Sequence, residues 1–300
     1  MTDTIIDLSH VSKSFGKHAA LDDVTYQVRK GSVFALLGEN GAGKTTTIRI
    51  LLGLCQPDSG ERSVLGLDSK KEDLKIRQSV GYVPEQPALY DWMTVAEIGR
   101  FAASFYPKGY LERYNNWLKE YDLRPEAKIK TLSKGQRAKV SLSAALAHDP
   151  ELLILDEPTS GLDAMVRREF LESMVDRAAT GRTVFLSSHQ IGEVERVADT
   201  IAIMRKSKML LIEPLDKLKA RTHLVTVTFS DEVQDSVSNF ASGAELLNEI
   251  IEQKQDGREL RLLGHGLRDD ADRILRERTD IMRYEIRKPS LEEIFVSYMK

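Results

Sequence analysis

The sequence predicts an α/β fold with a mostly parallel sheet, followed by a small α+β region. Short apolar runs at 33–37, 152–155 and 184–186 contain no polar residue, which is typical of strands buried on both faces of a sheet. Each run is followed by a segment with helical spacing, and this alternation predicts right-handed βαβ units. From about residue 221 the pattern changes, because 225–229 and 282–287 alternate strictly between apolar and polar residues.

Composition limits the class of protein. The 300 residues include 43 Lys and Arg against 46 Asp and Glu, a net charge of −3, so no basic excess favours nucleic acid as a partner. The hydrophobic fraction of 41% is ample for a packed core. No apolar run approaches the roughly 18 residues that cross a bilayer. The N-terminus lacks the basic-then-apolar order of a signal peptide, so we expect a soluble, cytoplasmic protein.

A glycine-rich segment separates the strand at 33–37 from a helix whose apolar face contains Ile48, Leu51 and Leu52. A strand, such a loop and a helix that opens with Lys-Thr are the context of a phosphate-binding P-loop. We expect Lys44 to reach the β- and γ-phosphates and Thr45 to ligate Mg²⁺. A loop that binds nothing would explain the glycines but not the Lys-Thr pair. The segment consists of Gly38, Glu39, Asn40, Gly41, Ala42, Gly43, Lys44, Thr45 and Thr46.

Two β-rich stretches, 5–11 and 24–28, precede the glycine-rich segment. Phe15 lies between them. An aromatic side chain ahead of a P-loop could stack on a purine base, but on physical grounds alone a half-buried Phe is the safer interpretation. The P-loop helix is expected to end at 56–60, where Pro57 and Gly60 are strong stop signals.

Residues 91–128 are predicted to be helical, with a break at 107–109. Thr94 and Glu97 fit a capping box at the start of the first helix. We expect the aromatic residues of this region to pack in a core or against a partner, because basic residues do not interleave with them as in a base-stacking platform. They are Phe101, Phe105, Tyr106, Tyr110, Tyr114, Trp117 and Tyr121. A further helix is predicted at 137–148, opened by 131–136.

Carboxylates follow the apolar strand at 152–155, at the end where open α/β sheets place their sites. Asp156 is expected to serve Mg²⁺ and Glu157 to polarise an attacking water. A helix cap or surface turn is the alternative, but it fits poorly after so apolar a strand. His189 ends the next predicted strand, where it could contact the γ-phosphate; taken alone, such a histidine is more often structural. Helices are predicted at 164–179 and 190–197, and a hairpin at 201–212.

The C-terminal region is predicted as a separate unit, so that residues 1–220 and 221–300 form two domains. Helices are expected at 233–253, 268–278 and 290–299, the last one opened by a capping box of Ser290 and Glu293. Residues 221–300 contain 12 Lys and Arg against 16 Asp and Glu. A nucleic-acid-binding tail would usually carry the opposite balance.

Over residues 3–215 these motifs together resemble the nucleotide-binding subunits of ATP-binding cassette (ABC) transporters. Gly38–Thr45 is similar to the Walker A motif, 152–156 to Walker B, Glu157 to the catalytic glutamate and His189 to the switch histidine. Residues 160–163 resemble the D-loop, and Phe15 lies where the family has an adenine-stacking aromatic. The segment 132–136 resembles the signature motif, which implies that Ser133, Gly135 and Gln136 contact ATP.

Two positions depart from the family pattern. Lys134 stands where the signature motif usually has its first glycine, with an effect on ATP affinity of unknown direction. The Q-loop glutamine aligns best with Glu85, while Gln86 lies one residue late. Either Glu85 takes the role, which would place it with Thr45 and Asp156 around the metal, or the loop shifts to offer Gln86.

The resemblance implies an α/β P-loop NTPase core with an antiparallel β subdomain and a helical subdomain at about 88–135. It further implies ATP and Mg²⁺ as ligands, a second nucleotide-binding subunit in a homo- or heterodimer, and a separate transmembrane permease subunit that docks on the helical subdomain. The chain would then lie at the inner face of the cell membrane. The tail with 288–295 resembles that of export-type subunits. Alternatives are a soluble ABC-type ATPase acting on ribosomes or DNA, and a regulator that does not hydrolyse ATP.

Overall fold

The computed structural model describes residues 3–230 and 245–300, and the chain forms two compact units. The first unit ends at Ile212 and the second begins at Glu213. The assignment of functional domains to 1–220 and 221–300 stays a prediction. In the described ranges every helix is too short or too polar to cross a lipid bilayer.

The first unit combines two sheets with helices, as the sequence predicts for an α/β core. Its strands are β1 (Thr4–Phe15), β2 (His18–Arg29), β3 (Val33–Gly38), β4 (Ser59–Val64), β5 (Leu67–Asp68), β6 (Val80–Val83), β7 (Leu152–Asp156), β8 (Thr183–Ser188), β9 (Thr200–Arg205) and β10 (Lys208–Pro214). Its helices are α1 (Lys44–Leu51), α2 (Asp73–Ser79), α3 (Val95–Ala103), α4 (Tyr110–Glu120), α5 (Lys134–Leu146), α6 (Ala164–Ala179) and α7 (Ile191–Val194), with a 3₁₀ turn at Ile129–Thr131.

The main sheet has the strand order β10-β9-β3-β8-β7-β6. Strand β3 pairs in parallel with β8 and β9, and β7 pairs in parallel with β8 and β6. All residues of β3, β7 and β8 are buried, which agrees with their unbroken apolar runs. This order brings the carboxyl ends of β3, β8 and β7 side by side, although the three strands are far apart in the chain.

A second sheet in this unit is antiparallel, with the order β2-β1-β4-β5. Tyr26 of β2 stacks on Phe34 of β3 at 5.4 Å between ring centroids, and Phe34 stacks on Phe185 of β8 at 5.5 Å. These rings lie in one apolar core that also includes Ile48 and Leu51 of α1. The two sheets therefore hold the helix that follows the glycine-rich loop between them.

The helices α3, α4 and α5 share a core of their own. The Tyr110 hydroxyl donates to the Ala144 carbonyl at 2.8 Å, and the Tyr114 hydroxyl donates to the Val95 carbonyl at 2.9 Å. The predicted capping box of Thr94 and Glu97 is present at the start of α3. Part of the aromatic set thus forms the core of this helical subdomain, and the remainder lies on its surface.

The second unit is an antiparallel sheet with flanking helices. Its elements are α8 (Leu215–Arg221), β11 (Thr222–Phe229), β12 (Leu247–Asp256), β13 (Glu259–Leu267), α9 (Ala271–Glu277), β14 (Ile281–Arg287) and α10 (Leu291–Tyr298), and its strand order is β12-β13-β11-β14. The predicted capping box of Ser290 and Glu293 is present at α10. One face of the sheet packs Val225, Val227 and Leu260 against Leu275 of α9.

The structure corrects several predicted element boundaries. The helix predicted at 233–253 is wrong from Leu247 onward, where the chain forms strand β12; residues 231–244 lie outside the described residues. The helix predicted at 137–148 begins earlier, at Lys134, so the signature segment forms its first turn. The helix predicted at 190–197 is reduced to Ile191–Val194. By contrast, α6 spans the predicted 164–179.

Candidate functional site

The glycine-rich loop joins β3 to α1, as predicted. A Cβ at Gly38 would lie 2.6 Å from the Met204 carbonyl oxygen, and one at Gly43 would lie 2.4 Å from the Ala20 carbonyl oxygen. Gly43 also has φ of 111°, in the left-handed region that other residues adopt only with strain. The loop backbone therefore keeps a path that side chains would block, and its amide groups lie at the N-terminus of α1, the arrangement that binds phosphate.

Lys44, the first residue of α1, lies at the centre of this loop. Its Nζ donates to the Gly38 carbonyl at 2.7 Å and to the Glu39 carbonyl at 3.3 Å. The same ammonium lies 3.0 Å from Oε1 of Glu157, and the two side chains are only 6% and 7% exposed. A buried carboxylate is costly unless a cation compensates it, so this ion pair accounts for the burial of Glu157 at the strand end.

Thr45, Asp156 and Ser187 form a hydrogen-bonded chain beside the loop. The Thr45 hydroxyl donates to Oδ1 of Asp156 at 3.3 Å, and the Ser187 hydroxyl donates to the same oxygen at 2.6 Å. Burial, together with the charge of Asp156, raises the pKa of Tyr82 on neighbouring β6 to about 12. Hydroxyl and carboxylate oxygens are the donors that Mg²⁺ prefers. In the described part of the chain no three His, Cys, Asp or Glu side chains could hold a metal by themselves.

Mg²⁺ commonly takes one or two protein ligands, with phosphate oxygens and water completing its coordination. The Thr45–Asp156 pair fits that requirement, whereas a site built entirely from protein ligands would need a larger cluster. Glu85, assigned with them from the sequence, is exposed and makes no hydrogen bond to either residue among the described contacts. The pair at 3.3 Å is therefore the part of the predicted metal set that is in direct contact, while Glu85 lines the same cleft as Thr45.

Glu157 occupies a constrained position at the end of β7. Its φ is 49°, in the left-handed region, which costs a non-glycine residue about 1–2 kcal/mol. Its N–H donates to the Ser187 hydroxyl at 3.1 Å and to the Ser187 carbonyl at 3.2 Å. Strained backbone held by such contacts is common at functional sites, and here it aims the carboxylate away from the strand axis and towards Lys44.

His189 lies on the other side of Glu157. Its Nδ1 is 2.7 Å from Oε2 of Glu157, and its backbone N–H donates to that oxygen at 3.3 Å. The imidazole is 43% exposed, so the ring is accessible and is not a satisfied core histidine. Glu157 therefore joins the cation of the glycine-rich loop to the histidine at the end of β8.

Many of the predicted site residues line a cleft of about 440 Å³. Phe15 lies at its edge with 54% of its surface exposed, so packing in a core does not explain this aromatic residue. Glu85 also lines the cleft, whereas Gln86 lines a neighbouring one of about 260 Å³. The residues that line the larger cleft are Phe15, His18, Ala20, Glu39, Asn40, Gly41, Gly43, Lys44, Thr45, Thr46, Glu85 and Glu157.

The signature segment is placed apart from this cleft. Ser133 is the N-cap of α5 and forms a capping box with Gln136, in which each side chain accepts a hydrogen bond from the other residue's backbone N–H. Ser133 and Gln136 are exposed, and Gly135 packs where a Cβ would lie 3.1 Å from both methyl groups of Val166. None of these predicted ATP contacts lines the cleft of the glycine-rich loop.

Lys134, the departure in the signature segment, lies against the D-loop of the same chain. A Cβ at Gly161 would be 2.4 Å from the Lys134 ammonium, and Gly161 has φ of 67°. The ammonium therefore occupies the space that a side chain at position 161 would need. The Lys134 side chain lines the smaller cleft together with Glu85, Gln86 and Ser160.

Sequence reasoning missed Ser187. Its hydroxyl donates to Asp156 and accepts the N–H of Glu157, so it fixes both carboxylate residues. A signal was present, because the buried strand β8 ends in two serines directly before His189. Buried hydroxyls need partners, and here the partners are the residues that end β7.

Comparison with known proteins agrees with these motifs. The family model described as "ABC transporter" matches residues 21–160. The chain is 36% identical over 228 residues to the probable multidrug ABC transporter ATP-binding protein YbhF of Escherichia coli, which covers 73% of this chain and 39% of YbhF. The chain thus spans well under two thirds of the length of that relative.

Two further matches cover most of the compared protein. The linearmycin resistance ATP-binding protein LnrL of Bacillus subtilis is 37% identical over 213 residues, covering 69% of this chain and 68% of LnrL. A solved structure described as the ATP-binding subunit of an ABC transporter is 33% identical, with a TM-score of 0.67, and covers 72% of this chain and 92% of that one.

The fold and these likenesses lead to the same assignment. The family model spans the glycine-rich loop, the signature segment and the strand that carries Asp156 and Glu157. The antiparallel sheet, the helical subdomain and the predicted P-loop core are all present. This chain belongs to the ABC transporter family.

Proposed function

We propose that this chain is the ATP-binding and ATP-hydrolysing subunit of an ABC transporter, and that it powers export through a separate membrane subunit. The observation that carries the proposal is the pair of contacts at Glu157, which lies 3.0 Å from Lys44 and 2.7 Å from His189. A phosphate-binding cation and a carboxylate that can accept a proton then line one cleft, and an accessible histidine contacts that carboxylate.

The glycine-rich loop binds ATP. The amides of 39–45 and the Lys44 ammonium cradle the phosphates, and the Phe15 ring, more than half exposed at the cleft edge, stacks on the base. Thr45 and Asp156 would hold Mg²⁺, which would neutralise negative charge on the phosphates. Ser187 keeps the Asp156 carboxylate in its orientation through the 2.6 Å hydrogen bond.

Glu157 and His189 carry out ATP hydrolysis. Oε1 of Glu157 faces Lys44, and when that ammonium turns to the phosphates the oxygen is released to accept a proton. The attacking water forms a bond to the γ-phosphorus, the bond to the β-phosphate oxygen breaks, and the water's proton passes to Glu157. The His189 Nδ1 contact orients the carboxylate, while the exposed side of the ring contacts the γ-phosphate.

A second nucleotide-binding subunit completes the site. Ser133, Gly135 and Gln136 lie outside the cleft of their own chain, and Ser133 and Gln136 are exposed. Facing another copy or a related subunit, this segment contacts the γ-phosphate bound by the opposite P-loop. Two ATP molecules are then enclosed between two subunits. Hydrolysis lets the subunits separate, because the γ-phosphate no longer joins the P-loop of one subunit to the signature segment of the other.

The permease docks on the helical subdomain. Four aromatic side chains lie exposed on its surface: Tyr90, Trp92, Phe101 and Phe105, with 48%, 65%, 45% and 61% of their surface accessible. Neighbouring rings lie 5.4–5.8 Å apart, so they form one continuous patch. Exposed aromatic clusters of this kind are typical of interface cores. Through this contact the chain lies at the inner face of the cell membrane.

Export is favoured by the relatives rather than by the site. YbhF is named for multidrug transport and LnrL for linearmycin resistance. Removal of a toxic compound from the cell is the transport direction that such names describe. The substrate itself is selected by the permease, whose sequence is separate from this chain.

Mg²⁺-dependent ATP hydrolysis by the purified chain tests the proposal, with Glu157→Gln as the decisive variant. We expect turnover to fall about 100-fold or more, because the proton acceptor is lost, while ATP binding is kept and an ATP-bound dimer accumulates in size-exclusion chromatography. Glu151→Gln, at a partly exposed side chain directly before the same strand, is the matched control and should behave as wild type. Unchanged turnover of Glu157→Gln would remove Glu157 from this role, and a wild type without ATPase activity would refute the proposal.

A further inference from the structure

Arg167, in the first turns of α6, contacts two segments of the site at once. Its Nη2 donates to the Leu162 carbonyl in the D-loop at 2.9 Å. Its Nη1 lies 2.9 Å from Oε1 of Glu193 in α7. The planar guanidinium is suited to this geometry, since it directs several donors at once in fixed directions.

The Glu193 side chain is largely buried, which is unusual for a charged residue on a short helix. Its side chain is only 13% exposed, and both carboxylate oxygens are buried. Within the described residues neither oxygen accepts a hydrogen bond of good geometry, so the ion pair with Arg167 is the compensation that the structure shows for this charge. Loss of one partner of a buried ion pair leaves the other charge uncompensated, and the segment that carries it must shift towards water.

The two segments flank the contact between Glu157 and His189. The loop that ends at Leu162 begins directly after Glu157, and α7 begins two residues after His189. Arg167 therefore bridges two stretches of chain that begin next to Glu157 and His189, whose side chains are in contact at 2.7 Å. A movement of either stretch changes the distance between the carboxylate and the imidazole.

We infer that Arg167 and Glu193 form a positioning pair for ATP hydrolysis: they fix the D-loop relative to α7 and thereby keep His189 on Glu157. This inference rests on the proposed function. Neither residue lines the cleft of the glycine-rich loop, so the pair acts through Glu157 and His189 and does not contact ATP within its own subunit. Its loss should therefore affect turnover and leave nucleotide binding largely intact.

Arg167→Met tests the inference, because Met keeps much of the length but neither the charge nor the donors. We expect kcat to fall about 10- to 100-fold, since small misplacements of catalytic groups have effects of that size, with KM for ATP within about threefold. Glu193→Gln should lower kcat similarly, and the double variant should be no worse than the stronger single one, because the two side chains act as one unit.

Arg168→Met is the matched control. Arg168 is the next residue on α6 and pairs with Glu172 in a bridge whose side chains are 69% and 57% exposed. Its replacement should leave kcat unchanged. Hydrogen–deuterium exchange gives a readout that does not depend on activity: the amides of 159–163 and 189–194 should exchange faster in Arg167→Met than in Arg168→Met.

The outcomes separate this inference from the proposed function. A wild type that hydrolyses ATP, together with full kcat in Arg167→Met, overturns the positioning role alone. Additive losses in the double variant, or unchanged exchange in both segments, also overturn it. A kcat that falls in proportion to the number of ATP sites measured by calorimetry indicates partial unfolding and contradicts positioning. A wild type without ATPase activity refutes the proposed function, and faster exchange in only one segment contradicts the bridge.

Discussion

The glycine-rich loop and the signature segment differ in how their polar groups are satisfied. Lys44 and Glu157 are buried and pair with each other, although they are far apart in the sequence. Ser133 and Gln136 are exposed, and their hydrogen bonds are confined to one helix turn. The buried charges of the first region are paired within the same chain. The second region is a helix N-terminus that is exposed to solvent.

This difference shows how one chain can supply two unlike halves of a site. A buried half whose charges are paired keeps its geometry without a partner, because each charge is compensated from within. The capping box satisfies its polar groups within one helix turn, so the signature segment needs no partner to be stable. The signature segment is therefore stable both alone and against a second subunit, as a reversible contact requires.

The largest effect is expected for Lys44→Ala, which breaks the buried half. The phosphates lose their cation and Glu157 loses its compensating charge, so ATP affinity should fall about 100-fold or more and stability by about 3 kcal/mol. Calorimetric titration with ATP and chemical denaturation measure the two effects. Lys30→Ala removes an exposed ion pair with Glu151 and is the control, with near wild-type values expected. Wild-type affinity in Lys44→Ala would contradict the placement of ATP in this cleft.

A smaller and more selective effect is expected in the exposed half. Ser133→Ala and Thr94→Ala each destroy a capping box in the helical subdomain, so both should lose about 1 kcal/mol of stability. Ser133 alone is assigned a contact with ATP in a second subunit. ATP-dependent dimerisation of a Glu157→Gln background, followed by light scattering, should weaken for Ser133→Ala only. Equal dimerisation by the two variants would refute the outward-facing role of the signature segment.

The smallest effect is expected for Phe15→Ala, at the edge of the cleft. Stacking on a base contributes about 1 kcal/mol here, so ATP affinity should fall roughly fivefold. Because Phe15 is 54% exposed, thermal stability should hardly change. Phe15→Trp keeps an aromatic face and should bind ATP as tightly as wild type. If titration gives the same affinity for Phe15→Ala and wild type, Phe15 does not contact the base.

Local signals predicted much of the fold. The capping boxes at Thr94 and Ser290 and the bounds of α6 follow from side chains within one or two helix turns. The burial of β7 follows from four successive aliphatic residues. In each case the deciding interactions lie within a few residues along the chain, so pattern and propensity suffice.

The wrong helix at 247–253 shows where that approach ends. Leu247 and Ile250 have a spacing compatible with a helix face, but the segment pairs with β13 as strand β12, with Leu247 opposite Leu267. The backbone groups of a neighbouring strand decided the conformation, and propensity within the segment could not reveal them. The early start of α5 has a similar origin at shorter range, because the Ser133 cap moved the first turn into the signature segment.

By itself, the sequence determined the chemistry of the loop that joins β3 to α1, since Lys44 and Thr45 stand in register after a buried strand whatever the rest of the chain does. Only the tertiary structure decided that Lys44 meets Glu157, that Ser187 holds Asp156 and that Arg167 reaches Glu193. The physical reason is the strand order β3-β8-β7, which depends on how whole faces pack and not on the periodicity of any one segment.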